Sequence, residues 1–293
     1  MKARAFKYVR VSSADEALQA FHGVKDACYL SGGQSLVPSL SLRLQAPDLL
    51  IDISRIDAFK GIQVRDDRLR IGALTRHVDV LKSAEIARFA PLLKQAAAHV
   101  AHPAIRNKGT IGGSIAQADP AAEFPAMMLA LDAEIEVIGT LGSRRIKADQ
   151  FFHGLYETAL QPGEILSAIH LPLFGPAHRC AFDELARRLG DFAIVGAGVQ
   201  AIFDGEIAQS ARIAFFSVGP TPMRAKNAEA AIAGRLLNTK SISAAQAALS
   251  QDLDPSDDFQ TTSATRLHLA RVLLGRVLGR LKGPTDTGAE THR

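Results

Sequence analysis

The sequence predicts an α+β protein with a small parallel sheet near its amino end, followed by antiparallel sheets and helices. Three observations lead to this fold class. Strand and helix patterns alternate over the first 55 residues, hairpin patterns begin at Gly61, and the last third changes from strands to helices. The 293-residue chain is 47% apolar and 22% charged, which is typical of a folded protein and excludes a mostly disordered one.

The first region has the pattern β-α-β-α-β, which favours a small parallel sheet. Ser12 and Ser13 precede its first helix as capping residues, and Gly23 ends that helix. In chain order, the predicted elements are an extended segment at 6–11, the capped helix, a strand at 27–30, a short helix at 36–44 and an apolar strand at 49–53.

The middle region begins with a hairpin, because residues 62–65 and 68–72 alternate in polarity on either side of a turn at Asp66 and Asp67. A long helical segment follows, and Pro91 interrupts it. The remaining elements predicted for this region are that helical segment at 78–100, a helix at 121–131 and strands at 133–138 and 165–171.

The last region predicts an antiparallel meander with a hairpin turn at Asp204 and Gly205. Its elements are strands at 181–186, 192–203 and 207–218, then three helices at about 223–236, 241–250 and 261–282. A Gly/Pro break at 173–177 marks the predicted domain boundary. The predicted division is a domain at 1–174 with subdomains at about 1–56 and 57–174, a second domain at 175–282 and a polar tail at 283–293.

Composition excludes several classes of protein. Cys28 and Cys180 are the only cysteines, so the chain cannot supply the four thiolates of an iron–sulfur cluster or of an all-thiolate zinc site, and we predict no metal site. No apolar run has the length of a secretory signal or a membrane helix, which predicts a cytoplasmic chain without a membrane span. The net charge of +4 is spread along the chain, so nucleic acid is not a predicted partner.

Two segments with paired glycines stand out. The first glycine segment, residues 31–36 (Ser-Gly-Gly-Gln-Ser-Leu), directly follows a predicted strand. The second glycine segment, residues 110–114 (Thr-Ile-Gly-Gly-Ser), has the same pattern of two adjacent glycines. Such glycines let successive backbone N–H groups point at one anion, although one such loop taken alone is as well explained by a plain turn. Together, the two segments predict loops that close on a pyrophosphate. Neither has the lysine of a P-loop.

A third glycine motif has a structural explanation. Residues 196–201 (Gly-Ala-Gly-Val-Gln-Ala) fit the dinucleotide-binding fingerprint, which requires a helix to begin there. A hairpin signal, Asp204-Gly205, follows instead. We therefore interpret these glycines as close-packing strand residues and predict no NAD-binding half.

The motifs, taken together, resemble a known family. They run in order through residues 31–36, 50–53 (Leu-Ile-Asp-Ile), 105–114 (Ile-Arg-Asn-Lys-Gly-Thr-Ile-Gly-Gly-Ser), 118–120 (Ala-Asp-Pro), 188–193 (Arg-Leu-Gly-Asp-Phe-Ala) and 219–222 (Gly-Pro-Thr-Pro). In this order they resemble the FAD-binding (medium) subunit of the xanthine dehydrogenase and carbon monoxide dehydrogenase family of molybdenum hydroxylases. The resemblance implies a two-subdomain FAD-binding fold of the vanillyl-alcohol-oxidase-like type, followed by a smaller domain of antiparallel sheet plus three helices.

The resemblance also implies a set of FAD-binding residues, and no catalytic side chain. Around the pyrophosphate it implies Leu30, Ser31, Gly32, Gly33, Gln34, Ser35 and Leu36 with Thr110, Ile111, Gly112, Gly113 and Ser114. Glu123 stands where the family more often has an aspartate that contacts the adenosine part, and its alternative is a solvated helix residue.

Five further residues are assigned around the flavin ring by the same resemblance. Leu166 and Val100 are expected near the isoalloxazine, and Asp183 falls where some members have a lysine that contacts the flavin. Asp191 and Phe192 are expected to approach the flavin, with core packing as the alternative for Phe192.

By resemblance, the chain is an electron-transfer subunit. Its partners would be a small [2Fe–2S] subunit and a large molybdopterin-binding subunit in a dimer of heterotrimers, and electrons would leave FAD for an external acceptor. One alternative is a self-sufficient FAD-dependent oxidase or reductase, whose acid/base candidates are His77, His153 and Tyr156. A second is a nucleotide-binding or scaffolding module without redox work.

Overall fold

The structure is a computed structural model that describes residues 2–259 and 261–282, so the predicted polar tail lies outside the described residues. It contains three sheets and a two-stranded hairpin, with helices between and around them. Within the described part of the chain, no helix is both long and apolar enough to span a membrane. The α+β prediction is confirmed.

The amino-terminal region is a three-stranded parallel sheet with two helices. Its elements are β1 (Lys7–Arg10), α1 (Ala14–Phe21), β2 (Ala27–Leu30), α2 (Leu36–Leu42) and β3 (Leu49–Asp52). The strand order is β1-β3-β2, and both pairings are parallel, which confirms the prediction for this region. Helix α1 begins where the Ser13 hydroxyl accepts a hydrogen bond from the Glu16 N–H, as a capping residue does.

The middle region is built on a five-stranded antiparallel sheet of order β4-β5-β10-β6-β7. Its elements are β4 (Ile62–Arg65), β5 (Arg68–Gly72), α3 (His77–Lys82), α4 (Ala84–Phe89), α5 (Pro91–His99), α6 (Pro103–Arg106), α7 (Ile111–Gln117), α8 (Glu123–Ala130), β6 (Glu134–Gly139), β7 (Gly142–Lys147), β8 (Phe152–Gly154), β9 (Glu157–Thr158) and β10 (Ile165–Pro172). Short 3-10 turns at Asp57–Phe59 and Ala148–Gln150 link these elements.

Three details of the middle region differ from the predictions. The helical segment at 78–100 is three helices, because extended backbone at Ser83 separates α3 from α4 and Pro91 starts α5. The second glycine segment is helical from Ile111, since Thr110 caps α7. Strand β7 has no counterpart among the predictions, because only Ile146 within it is buried and the apolar alternation of a strand is missing.

The carboxyl-terminal region is an antiparallel sheet covered by helices, as predicted. Its elements are β11 (His178–Ala186), β12 (Ala193–Asp204), β13 (Ile207–Phe216), β14 (Met223–Arg224), α9 (Lys226–Ile232), β15 (Arg235–Leu236), α10 (Thr239–Asp252) and α11 (Ser263–Arg280). The fingerprint-like glycines lie inside β12. A Cβ at Gly198 would lie 2.6 Å from the Met127 sulfur of α8, so the interpretation of these glycines as close-packing strand residues is confirmed.

The largest apolar core joins the middle and carboxyl-terminal regions. Buried side chains of helices α5 and α8 pack with Phe182 and Phe216 of the carboxyl-terminal sheet. A polar clamp reinforces this contact, because the Arg212 guanidinium donates to the Leu129 carbonyl oxygen at 2.8 Å and also contacts Asp149. The core is therefore continuous across the boundary expected at 173–177, and the division into domains stays a prediction.

Candidate FAD site

One cavity of about 530 Å³ collects nearly all the residues predicted to bind FAD. It lies between the three regions, and its wall includes the whole of 30–36, four residues of the second glycine segment, part of β10 and the connection between β11 and β12. Ile111 and Asp183 are the two predicted residues that do not line it. The cavity therefore brings together side chains that are far apart in the sequence.

The first glycine segment offers free hydrogen-bond donors to this cavity. Among the described residues, none accepts a hydrogen bond from the backbone N–H groups of Gly32, Gly33, Gln34 and Ser35. Gly33 has a φ of +71°, which a residue with a Cβ adopts only under strain. Backbone N–H groups that have no acceptor within the protein and lie beside a cavity suit an anion such as a phosphate.

The second glycine segment differs, because its backbone donors are already used. Ile111 N–H donates to the Thr75 carbonyl at 3.0 Å, and Gly112 N–H donates to the Ala73 carbonyl at 2.9 Å. Gly113 N–H donates to Thr110 Oγ1 at 3.2 Å. The segment thus forms a wall that is anchored on residues 73–75. Its hydroxyl groups, and not its backbone N–H groups, can still bind a ligand.

The two glycine segments touch each other. Ser31 Oγ and Thr110 Oγ1 are 3.1 Å apart and share a hydrogen bond. A Cβ at Gly32 would collide with the Lys108 carbonyl oxygen, so only glycine permits this approach. A Cβ at Gly113 would lie 2.9 Å from Ser31 Oγ. The glycine pairs bring the amino-terminal sheet and the middle region together at the cavity.

Glu123 begins α8 and lines the cavity, where its carboxyl accepts a hydrogen bond from its own backbone N–H. Burial, together with a smaller contribution from the nearby Glu184 and Asp119 carboxylates, raises the pKa of this carboxyl to about 8. Asp119 also lines the cavity, and burial raises its pKa as well. Glu123 is therefore a protonated carboxyl at neutral pH, able to donate as well as accept a hydrogen bond.

An ion pair that the sequence did not suggest lies behind Glu123. His99 Nδ1 is 3.2 Å from Glu184 Oε1, and this hydrogen bond raises the pKa of His99. The other Glu184 oxygen, Oε2, is buried with no partner among the described residues. The residues are 85 positions apart on α5 and β11, so spacing in the sequence gives no sign of the pair.

The residues predicted near the flavin ring fall into two groups. Val100, Leu166, Asp191 and Phe192 line the cavity, and Phe192 is exposed. Asp183 lies outside the lining and pairs with Arg280, with an Nη2–Oδ2 distance of 2.8 Å.

Two predicted residues have other surroundings. Ile111, the first residue of α7, is fully buried in the largest apolar core and does not line the cavity. Of the acid/base candidates, His77 lines the cavity, whereas His153 and Tyr156 on the β8–β9 hairpin are not part of its lining. In the described ranges, no cluster of three or more His, Cys, Asp or Glu side chains could hold a metal ion.

Two family models match the chain, and together they cover most of it. Residues 4–174 match the FAD binding domain in molybdopterin dehydrogenase, and residues 180–281 match the CO dehydrogenase flavoprotein C-terminal domain. The chain belongs to the FAD-binding subunits of the molybdenum hydroxylases. The resemblance stated from the motifs is confirmed.

Curated relatives of this FAD subunit match over nearly their full length. It is 38% identical to the alpha subunit of the 6-hydroxypseudooxynicotine dehydrogenase complex of Paenarthrobacter nicotinovorans, over 96% of this chain and 95% of that protein. It is 33% identical to the medium chain of carbon monoxide dehydrogenase from Hydrogenophaga pseudoflava, over 93% of this chain and 96% of that one.

Solved structures agree with the fold of the FAD subunit. A chain of carbon monoxide dehydrogenase from Hydrogenophaga pseudoflava matches with a TM-score of 0.94 and 35% identity, covering 96% of this chain and 98% of that chain. A chain of quinoline 2-oxidoreductase from Pseudomonas putida 86 matches with a TM-score of 0.92 and 34% identity, covering 96% and 98%.

The FAD subunit's own residues fit the cofactor of its family. The partnerless N–H groups of the first glycine segment suit a pyrophosphate, and the carboxyl of Glu123 on the cavity wall suits hydroxyl groups of a nucleoside. Apolar side chains such as Val100 and Leu166 provide surface for a flat ring. FAD is the cofactor of this family, and its enzymes are oxidoreductases.

Proposed function

We propose that this FAD subunit receives electrons from a partner [2Fe–2S] subunit and passes them through FAD to an external acceptor. The main support for the proposal is the cavity, which is lined by free backbone N–H donors, a neutral carboxyl and an apolar wall. The cysteine count supports the need for a partner, because Cys28 and Cys180 are both free and cannot hold a cluster.

In this proposal the chain's residues bind and orient the cofactor. The N–H groups of Gly32 to Ser35 and the hydroxyls of Ser31 and Thr110 hold the pyrophosphate, and Glu123 holds the adenosine part. FAD supplies the electron and hydride chemistry.

A second set of residues covers the flavin ring in the same proposal. Val100, Leu166, Asp191 and Phe192, all on the cavity wall, cover the ring and exclude water from it. No side chain acts as nucleophile or general base.

The proposed complex contains a small [2Fe–2S] subunit and a large molybdopterin-binding subunit, arranged as a dimer of heterotrimers. The names of relatives support separate partner chains, since one is an alpha subunit of a dehydrogenase complex and another a medium chain. The cytoplasmic location and the division near residue 174 stay predictions.

Reconstitution with FAD tests the cofactor site directly. The purified chain is mixed with FAD, excess cofactor is removed, and bound flavin is measured from its visible absorbance. We expect about one flavin per chain, because a single cavity is lined by both glycine segments. A chain that stays colourless after reconstitution contradicts the proposal.

Co-purification and turnover assays test the electron-transfer role. Isolation from native cells should recover two further chains, one of them with [2Fe–2S] clusters, whereas recovery only as a free chain contradicts the partner proposal. The competing oxidase needs an acid/base set beside the flavin, but His153 and Tyr156 do not line the cavity. Turnover of an organic substrate by the isolated chain would favour that alternative.

A further inference from the structure

The side chain of His77 is a buried polar group on the cavity wall. Pyrophosphate binding by the two glycine segments does not explain why a histidine lies there. It is the first residue of α3 and only 5% exposed. Neither Nδ1 nor Nε2 has a hydrogen-bond partner among the described residues. A histidine this deeply buried normally has a partner for its ring N–H, so the imidazole has hydrogen-bonding capacity that is not yet used.

The imidazole packs against Gly109, the residue that immediately precedes the second glycine segment. A Cβ at Gly109 would lie 2.9 Å from His77 Cε1, so the ring rests against this glycine. The edge of the ring meets Phe124, with 5.0 Å between the ring centroids. The His77 backbone N–H donates to the Gly109 carbonyl at 3.0 Å, which ties the start of α3 to the segment.

Thr110 is the residue through which the imidazole can act on the cavity. Its hydroxyl is shared with Ser31 and accepts from Gly113 N–H, and its backbone pairs with Arg76. The Thr110 backbone carbonyl interacts with the His77 ring and raises its pKa, although the two groups do not reach the geometry of a hydrogen bond. Because the carbonyl and the hydroxyl belong to the same residue, a hydrogen bond from the ring to the carbonyl would also restrain the hydroxyl.

We propose that His77 is a positioning residue for FAD: its ring N–H donates to the Thr110 carbonyl oxygen once the cofactor fills the cavity, and this bond holds the Thr110 hydroxyl in place. The inference rests on the proposed function, because it requires FAD between the two glycine segments. It assigns a role to a residue that does not itself touch the phosphates.

The state of the imidazole fits this role. Burial, together with a smaller contribution from the positive charge of Arg106, lowers the pKa of His77 to about 4. The ring is therefore neutral at physiological pH and carries a single N–H to donate.

Two substitutions separate hydrogen bonding from shape. His77→Phe keeps a ring against Gly109 but removes the donor, and His77→Gln keeps a donor. The matched control is His170→Phe, because His170 is also 5% exposed but lies outside the cavity and bonds Glu136 at 2.9 Å. FAD dissociation constants are measured for all three variants by quenching of flavin fluorescence.

We expect His77→Phe to weaken FAD binding about three- to tenfold, the range for one lost hydrogen bond, while His77→Gln restores most of it. His170→Phe should lower the melting temperature but leave FAD affinity unchanged. In 15N-histidine-labelled wild-type protein, one His77 ring nitrogen should shift to a hydrogen-bonded N–H signal when FAD is added.

The outcomes distinguish this inference from the proposed function. If the wild type does not bind FAD, both fail. If the wild type binds FAD but its His77 ring signals do not respond, or His77→Phe binds as tightly as the wild type, only the positioning role is overturned. Equal losses in His77→Gln and His77→Phe would also overturn it. Should His77→Phe not fold, the ring signals and His77→Gln decide.

Discussion

The two glycine segments have nearly the same sequence pattern but different hydrogen bonds. In the first, the backbone N–H groups of residues 32–35 have no partner among the described residues and lie at the cavity. In the second, those of Ile111 to Ser114 are bonded within the protein, two of them to Ala73 and Thr75. A pair of glycines thus serves as an open cradle in one place and as a packed wall in the other.

The difference shows that paired glycines can be needed for two physical reasons. In the cradle, Gly33 adopts a positive φ that aims N–H groups at a ligand. In the wall, a Cβ at Gly112 would lie 2.5 Å from the Ala73 Cβ, so glycine is needed for close packing. Substitutions in the cradle should therefore act on cofactor binding, and substitutions in the wall should act on folding.

The largest effect on FAD binding is expected for Gly32→Ala. Its Cβ would collide with the Lys108 carbonyl oxygen and lie 2.8 Å from the Gly109 Cα, and neither backbone atom can move freely. The first segment must then move, and losing one of its hydrogen bonds to a charged phosphate costs about 1.5–3 kcal/mol, so FAD affinity should fall roughly 10- to 100-fold. A fluorescence titration with FAD measures this loss.

Gly279→Ala is the control for that experiment, because nothing lies within 4 Å of a Cβ there and the residue is in helix α11. It should leave FAD affinity unchanged and raise stability slightly. Wild-type FAD affinity in Gly32→Ala would show that the first segment is not the cradle.

Gly112→Ala should act mainly on stability. Its Cβ would crowd Ala73 and break the bond from Gly112 N–H to the Ala73 carbonyl. We expect the melting temperature of the FAD-free protein to fall by roughly 2–6 °C, from about 1–3 kcal/mol of overpacking. FAD affinity should fall less than in Gly32→Ala. An unchanged melting temperature with lost FAD binding would mean that both segments serve as cradles.

Glu123→Gln should stabilise the FAD-free protein in a pH-dependent way. The pKa of Glu123 rises on folding from 4.5 to about 8. At a pH between these two values, the folded state therefore keeps a proton that the unfolded state has lost. Stability therefore decreases as pH rises from about 4.5 to about 8, and the neutral glutamine avoids this decrease. Thermal melts from about pH 5 to about pH 8.5 measure the difference.

The advantage of Glu123→Gln should be small near pH 5 and largest above pH 8, about where the titration ends. Glu206→Gln, at an exposed hairpin turn, is the control and should show no such trend. A constant difference across the pH range would contradict the protonated state of Glu123.

The smallest effect is expected for Asp183→Asn. The residue lies outside the cavity lining and pairs with Arg280, whose side chain is 55% exposed. Exposed ion pairs contribute about 0–1 kcal/mol to folding stability. Because Asp183 does not line the cavity, FAD affinity itself should change by less than about twofold, which is about 0.4 kcal/mol. Asp191→Asn, on the cavity wall, provides the comparison. A tenfold loss in Asp183→Asn would support the contact with the flavin that the resemblance implied.

Much of the fold could be predicted from local patterns. Hydrophobic periodicity, capping residues and turn residues predict the β-α-β-α-β order, the hairpin at 62–72 and the final meander with three helices. The structure confirms all three. The break at Ser83 was missed, because serine inside an apolar periodic stretch does not by itself end a helix. Strand β7 was missed because its residues are mostly exposed and charged.

The chemistry of the candidate site was only partly predictable. Most cavity residues were named from motifs, but His77 was named only as an acid/base candidate, and the His99–Glu184 pair was not foreseen. Both depend on burial against residues distant in the sequence. A histidine in a sequence gives no indication of how many partners its ring nitrogens will find.

The family, the order of elements, the positions of both glycine pairs and the lack of enough cysteines for a cluster all follow from the sequence alone. These properties are encoded locally or by simple counting. The tertiary structure decided which glycine segment keeps free donors, that Glu123 holds a proton, and that Asp183 faces Arg280 instead of the cavity. The reason is physical: a hydrogen bond or a pKa depends on every group within a few ångströms, and folding alone brings those groups together.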